Sequence, residues 1–370
     1  MLTPEQAISE LTEQQRQLFQ KIFLNDLPMM DLRAPSEFAQ GAFPNTTNIP
    51  LMNDQQRAQV GTVYKKQGQD AAIQLGHQLV SGAHKDALIQ RWSEFCAQNP
   101  EGALYCFRGG LRSKTVANWL TEAGVDYPRI EGGYKALRQY LIGTTAELVA
   151  QNNLWIIGGR TGCAKTDFVN AWQQGIDLEG LANHRGSSFG RRSTPQPTVI
   201  SFENAIAIEL LKKSQLGKHI VLEDEGVTIG SCSLPLVLRE AMKKAPILLL
   251  ELPFEQRVET ILNDYIIGLS EEYIALDGAL GYDRYQQAML DALERIKKRL
   301  GGVLFDQLSG DLSLALKTRD LDDHRTWIDK LLRKYYDPMY NYQIEKKQDR
   351  VVYQGDAKSL KQYLLAKGLL

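Results

Sequence analysis

Leu154-Trp-Ile-Ile-Gly-Gly-Arg-Thr-Gly-Cys-Ala-Lys-Thr166 is the stretch that decides the fold. Leu154 to Ile157 read as a buried strand, glycines at 158, 159 and 162 turn the chain, and Lys165-Thr166 open a helix. A strand feeding a glycine-rich loop and then a helix start aims backbone N–H groups and the helix dipole at one point, which favours a phosphate. Lys165 adds a point charge there, and Thr166 is placed to ligate Mg²⁺ where one is bound. The candidate diphosphate-binding residues are Gly159, Arg160, Thr161, Gly162, Cys163, Ala164, Lys165 and Thr166. The spacing departs from G-x-x-x-x-G-K-[ST] at Ala164, where a methyl group in place of the last glycine crowds the loop. A bare strand–helix turn is the plainer reading, but it leaves a lysine–threonine pair without structural motive.

Downstream, Ile220-Val-Leu-Glu-Asp-Glu225 is an apolar strand that ends in three carboxylates, Glu223, Asp224 and Glu225, where an acidic residue is expected to meet the metal or its water. Residues 246–252 give another strand, 255–332 are chiefly helical and 358–370 close the chain as a helix. No base-recognition sequence for ATP is visible, so the loop reads as a diphosphate site whose organic part stays open.

Upstream, residues 28–33 and 103–106 read as strands, 48–51 as a short extended piece and 125–130 as a further strand. Helical spacing covers 5–25, most of 54–98, 113–123 and 135–147. Such alternation implies a parallel α/β sheet with right-handed crossovers. The strand at 103–106 runs into Cys106-Phe-Arg-Gly-Gly-Leu-Arg-Ser113. Gly109 and Gly110 let backbone N–H groups turn inward as an anion nest, the helix starts at Ser113, and Arg108 and Arg112 are cationic. All three terms favour a thiolate, which makes Cys106 the expected nucleophile, cradled by Phe107, Arg108, Gly109, Gly110, Leu111, Arg112 and Ser113. The plainer reading is a structural cysteine beside a tight turn. Cys96, Cys163 and Cys232 receive no catalytic role.

The 370 residues carry 43 basic and 44 acidic side chains, a net charge of −1, so a nucleic-acid partner must be held by a local patch. No apolar run is long enough to span a bilayer, the N-terminus lacks a signal-peptide pattern, and the scattered cysteines match neither a disulfide frame nor a zinc site. A cytoplasmic, two-domain protein without a membrane partner or a ligated metal is expected. One patch lies between His184 and Ser201, where Arg185, Arg191 and Arg192 occur without an acid. Another is Arg333 to Tyr353, with five basic residues and five tyrosines suited to stacking unpaired bases. The alternatives are a solvated loop for the first and core packing of Tyr335, Tyr336 and Tyr340 for the second.

Residues 15–140 resemble the rhodanese family in Asp31-Leu-Arg-Ala-Pro-Ser-Glu-Phe38, Gly41-Ala-Phe-Pro, Asn48-Ile-Pro-Leu51 and the Cys106 loop. The resemblance implies a chalcogen-handling cysteine, with Asp31 and Arg33 in the strand beneath it. The Cys-x5-Arg spacing of Cys106 and Arg112 is shared with cysteine phosphatases of that fold, which keeps a phosphatase in play, although Tyr105 stands where many have histidine. Over nearly the whole chain the order of motifs is similar to the tRNA 2-selenouridine synthases. The matching strings are Gly61-Thr-Val-Tyr-Lys-Lys-Gln-Gly68, Glu131-Gly-Gly-Tyr-Lys-Ala-Leu-Arg138, the stretch from Asp177 to Gly190, Ser201-Phe-Glu-Asn204 and Tyr335-Tyr-Asp-Pro-Met-Tyr340. Gly226-Val227 stands where that family has Ser-Arg.

The resemblance implies an α/β chain with a rhodanese-like parallel-sheet domain over 1–145 and a P-loop NTPase-like domain over 150–370 whose C-terminal part is helical. It also implies exchange of the sulfur of wobble 2-thiouridine in tRNA for selenium from selenophosphate, by way of S-geranylation from geranyl diphosphate. These are co-substrates, with no tightly bound cofactor, and an enzyme that makes selenophosphate is the expected partner. His184, Arg185, Arg191, Arg192, Tyr335, Tyr336 and Tyr340 become the tRNA-binding candidates. A cysteine phosphatase, or a sulfur-relay protein, joined to a nucleotide-binding P-loop domain remains the alternative.

Overall fold

The structure is a computed structural model and describes residues 4–368. Contacts divide the chain into two units, one made of residues up to 147 together with 198–212, the other of 148–197 and the residues from 213 on.

In the first unit β1 (Met29–Asp31), β2 (Thr46–Asn48) and β3 (Ala103–Tyr105) form a parallel sheet in the order β2-β1-β3, with Met29 opposite both Thr46 and Ala103. β1 and β3 are buried along their whole length, as apolar strands covered on both faces must be. They pack into a core with Leu32, Trp92, Val116 and Leu120. The extended piece expected at 48–51 begins two residues earlier, and Pro50 has no N–H with which to prolong it. The strand expected at 125–130 is not one. Only an isolated bridge joins Arg129 to Leu104, because Pro128 lacks a donor and offers just its carbonyl to the Leu104 N–H, 2.8 Å away. The covering helix is split into Pro4–Ser9 and Glu13–Leu24, the second begun by a reciprocal cap between Thr12 and Gln15. The block at 54–98 is three helices, Asp54–Gln67, Gln69–Leu79 and Gly82–Gln98, and Gly68 at φ +89° makes the first break.

A helix that the sequence reading passed over, Val199–Ser214, packs mostly within this unit. The Arg138 guanidinium pairs with Glu203 and donates to Asn204 Oδ1 at 2.7 Å, and the Asn204 amide donates to the Ala42 carbonyl at 2.9 Å.

The second unit holds β4 (Asn153–Gly158), β5 (Gly175–Ile176), β6 (His219–Glu223), β7 (Thr228–Ile229), β8 (Cys232–Ser233), β9 (Ile247–Leu250) and β10 (Val351–Gly355). Five of these make a parallel sheet, β10-β9-β4-β6-β5, and β7 pairs with β8 as a small hairpin. β4 lies between β6 and β9, with Ile157 opposite Glu223 and Leu248, so the loop after β4 and the acidic end of β6 emerge side by side. From Phe254 the unit is mainly helical, around a core with Tyr285, Leu308 and Trp327. Among the described residues no helix is long and apolar enough to cross a membrane.

Candidate active site

Cys106 follows β3 directly and is buried, its thiol donating to the Ser113 hydroxyl at 3.3 Å while that hydroxyl donates to the Gly110 carbonyl at 3.1 Å. Ser113 lies in the first turn of the helix Leu111–Glu122, capped by no side chain, so the helix start faces the loop with its own N–H groups. The Glu131-Gly-Gly-Tyr134 string is a support for this loop. The Tyr134 and Lys135 N–H groups donate to the Cys106 and Phe107 carbonyls at 2.9 and 3.0 Å. Gly133, at φ +57°, is there because a Cβ would come within 2.1 Å of the Cys106 oxygen.

Arg112 does not lie free beside the thiol. Its guanidinium grips Glu37 through both terminal nitrogens, at 2.6 and 3.2 Å, and Arg57 binds the same carboxylate at 3.0 Å. Burial raises the Glu37 pKa, but Arg112 outweighs it, and the carboxyl is held below its usual range. Arg108 is exposed over the Phe107 ring, while Phe107 and Leu111 are exposed apolar residues beside it. Beneath the loop Arg33 pairs with Asp31 at 2.7 Å, both nearly inaccessible, and lies 3.7 Å from the Tyr134 ring centre. A cavity of about 600 Å³ opens over the thiol, lined by Arg33, Glu37, Cys106, Arg112, Tyr134 and Ile200. Sequence reasoning missed Glu37, Tyr134 and Ile200. The first two lie inside quoted strings, but nothing in the sequence places Ile200 at this cavity.

In the second unit Gly159 to Thr166 leave β4 and enter the helix Lys165–Asn170. Gly159 has φ +154° and Gly162 φ +81°, and Ala164 takes the left-handed conformation itself, at φ 57° and ψ 41°. The methyl group that looked like an obstacle is accommodated at a backbone cost. Lys165 Nζ donates to the Gly159 carbonyl at 3.2 Å, and Arg160 Nε donates to Asn341 Oδ1 at 2.8 Å. The Thr161 carbonyl accepts from Arg257 Nε at 2.9 Å, and Cys163 is buried. Thr166 Oγ1 donates to Glu223 Oε1 at 2.5 Å, and Glu223 also accepts the Glu179 N–H at 3.1 Å.

Glu179, inside the Asp177–Gly190 string, is a site residue that sequence reasoning did not single out. Glu179, Glu223 and Glu225 crowd together, and burial followed by mutual repulsion pushes Glu179 up to about 8 and Glu223 to about 7. Burial likewise lifts Glu225 to about 7, against the pull of Lys165. Burial works against the Lys165 ammonium, but Tyr340, Glu179 and Glu225 around it leave its pKa raised. Asp224 is withdrawn from this cluster by Lys347, at 2.7 Å from both its oxygens.

The tRNA-binding candidates are scattered in role. His184 is buried, and burial with the nearby Arg191 and Arg295 charges drives it down to about 4, so it presents no cation. Arg185 is tied to the Asp264 carbonyl and lies over the Tyr265 ring, and Arg192 pairs with Glu272 at 2.6 Å. Arg191 stays exposed. Tyr336 belongs to the helical core and has no face free for a base, Tyr335 is half-buried against it, and Tyr340 sits 5.8 Å from Lys165 Nζ.

Residues 152–368 match the family model described as the tRNA 2-selenouridine synthase AAA domain. The chain belongs to the tRNA 2-selenouridine synthase family. It is 52% identical over 356 residues to the tRNA 2-selenouridine synthase of Pseudomonas putida (strain GB-1), a match covering 94% of this chain and 96% of that one. The protein of the same name from Azotobacter vinelandii (strain DJ / ATCC BAA-1303) is 51% identical over 353 residues, covering 94% and 95%. Relatives this close over both units make it an enzyme of this type, and Cys106 and Lys165 both fall inside the matched length.

Proposed function

We propose that this enzyme replaces the C2 sulfur of a wobble 2-thiouridine in tRNA by selenium in two steps, one at each loop. The N-terminal unit is read as rhodanese-like and the loop after β4 as a P-loop. The observation that carries this reading is the chemistry of the two loops: a thiol backed by a hydroxyl at one, and an ammonium beside a threonine hydroxyl and a carboxylate at the other.

At the P-loop the thiouridine sulfur attacks C1 of geranyl diphosphate. The C–O bond breaks, its electrons leave with diphosphate, and the N3 proton is released. Lys165 and the loop N–H groups neutralise the departing charge. Thr166 Oγ1 and Glu223 are oxygen donors suited to Mg²⁺, and they lie hydrogen-bonded to each other. Such an ion supplies further neutralisation of diphosphate when bound.

At the cysteine loop the Cys106 thiolate attacks the phosphorus of selenophosphate and expels hydroselenide, while the phosphoryl group passes to sulfur and then to water. The Ser113 hydroxyl, 3.3 Å from the thiol, and the helix start without a side-chain cap suit this phosphoryl step. Hydroselenide adds at C2, its proton moves to N3, and geranylthiolate leaves and takes a proton from water. A thioether sulfur departs more readily than a thiocarbonyl sulfur, which is why geranylation comes first.

Thiolated tRNA, selenophosphate and geranyl diphosphate with wild type, Cys106→Ala and Lys165→Ala test the order, by weighing the product nucleosides. Cys106→Ala is expected to accumulate S-geranyl-2-thiouridine and Lys165→Ala to leave 2-thiouridine. Selenouridine from Cys106→Ala, or an equal block of geranylation by both variants, overturns it.

A further inference from the structure

A second cavity of the first unit, about 670 Å³, is not the one over the thiol. It runs between the helices Asp54–Gln67 and Gln69–Leu79 and the helix that follows the cysteine loop, and Val60, Ala72, Ile73, Val80 and Trp119 give it an apolar wall. Arg57, Leu111 and Arg112 line this groove and the cysteine cavity alike, so the two are neighbours. Leu111 stands at that junction with 49% of its surface exposed.

The groove is kept open by two glycines in helix interiors. Gly61 and Gly76 sit one on each groove helix, and a Cβ built on either meets nothing within 4 Å. Neither has a positive φ, so the backbone does not require glycine there. Glycine weakens a helix interior relative to alanine, which leaves the space itself as the reason for it. An apolar wall with no side chain filling it, next to the cavity of a nucleophile, is the shape of a site for a hydrocarbon substituent on the reacting substrate.

We infer that this groove holds the geranyl chain of S-geranyl-2-thiouridine while C2 lies at Cys106. The inference rests on the geranylated intermediate proposed above. The chain crosses Leu111 into the groove, and Lys65 on the groove lining faces the anionic RNA to which the chain is attached. Burying the chain retains the alkylated nucleoside at the selenium site and gives geranylthiol an apolar receptacle when the C–S bond breaks.

The test uses anticodon stem-loop RNA already carrying S-geranyl or S-dimethylallyl 2-thiouridine, so that no geranyl transfer is needed. Each buried methylene contributes a factor of about four. Wild type is therefore expected to convert the geranyl RNA with a kcat/KM at least about tenfold higher than the five-carbon analogue. Gly76→Leu and Gly61→Leu fill the groove while improving helix propensity, so their melting temperatures should not fall, and the chain-length ratio should collapse toward one. No chain-length effect in wild type, or a ratio that survives both substitutions, overturns the inference. If wild type converts neither alkylated RNA, the geranylated intermediate itself is wrong, and calorimetry with S-geranyl-2-thiouridine nucleoside still decides the groove. Binding lost in Gly76→Leu sustains it, and equal binding or none in wild type overturns it. A dimer in sedimentation that Gly76→Leu dissociates, with the chain-length ratio intact, gives the groove to a second copy of the chain and also overturns it.

Discussion

At the cysteine loop the supporting contacts come from outside: Tyr134 and Lys135 hold its carbonyls, and Glu37 holds its arginine. At the lysine loop the polar groups hold one another, with Lys165 on the Gly159 carbonyl and Thr166 on Glu223. A loop braced from behind keeps its N–H groups and thiol ready, so its ligand displaces little. A loop whose ammonium and hydroxyl are already engaged must exchange those contacts for ligand oxygens. The charge around them differs in sign as well: cations surround Glu37, whereas three crowded carboxyls face Thr166 and Lys165. The same strand–glycine–helix plan thus yields a loop braced from behind in one unit and a loop whose polar groups engage one another in the other.

The widest gap between the loops should appear in covalent labelling. With selenophosphate labelled at phosphorus, acid-quenched wild type is expected to carry label on Cys106, and Cys106→Ser to carry none and lose selenation by roughly a thousandfold or more. Lys165→Ala should label normally and instead bind geranyl diphosphate about tenfold to a hundredfold more weakly, the worth of one charge-assisted contact. Selenium rather than phosphorus on Cys106 would erase the phosphoryl step, and loss of label in Lys165→Ala would erase the division between loops.

Opposite pH responses come next in size. Glu37 has a depressed pKa, so its contribution to stability is present above the unfolded carboxyl value near 4.5 and is lost as pH falls through the lower folded value. Glu37→Gln should therefore cost about 2 kcal/mol at pH 7, and wild type and variant should converge in acid. Glu179 is the reverse. Its folded value of about 8 lies above the usual carboxyl value of 4.5, so its contribution is complete below 4.5 and is lost as pH rises through 8. Glu179→Gln should raise stability at pH 8.5 by on the order of 1–2 kcal/mol and change it little at pH 5. Thermal unfolding across pH measures both, and parallel profiles would dissolve the electrostatic contrast.

How far the sequence foretold this contrast depends on what each feature needs. Apolar strands running into glycine turns announce themselves through local pattern, so β3, β4, β6 and both loops could be read directly, and with them Cys106, Lys165, Thr166 and Glu223. Partners brought in by packing leave no local mark. Glu37 lies 75 residues from Arg112, and Ile200 reaches the thiol cavity from a helix whose neighbours in sequence lie in the other unit. Short edge strands fail for another reason: β5 has two residues, and β10 shifts register between Val351 and Tyr353, so neither repeats long enough to show a period. Arginines and tyrosines are legible only in part for a third reason, since composition counts charges and rings but not the ion pair of Arg192 with Glu272 or the burial of Tyr336.

The smallest effect concerns the backbone of the lysine loop. Ala164 begins the helix from a left-handed conformation, φ 57° and ψ 41°, which costs an L-residue with a Cβ roughly 1–2 kcal/mol. Glycine removes that cost but gains freedom in the unfolded chain, an opposing term of about 0.4–1 kcal/mol. Ala164→Gly should therefore raise stability by between about 0 and 1.6 kcal/mol, the spread of these two terms. If the loop's anion affinity is set by which contacts the ligand replaces, and not by the strain at residue 164, geranyl diphosphate binding should stay within about twofold of wild type. Calorimetric titration and thermal melts of the same preparation separate the two quantities. A variant that is clearly less stable would mean that the alanine methyl makes packing contacts worth more than its strain. Markedly tighter binding at unchanged stability would mean that the strained backbone, more than the engaged ammonium and hydroxyl, is what holds the lysine loop back from its ligand.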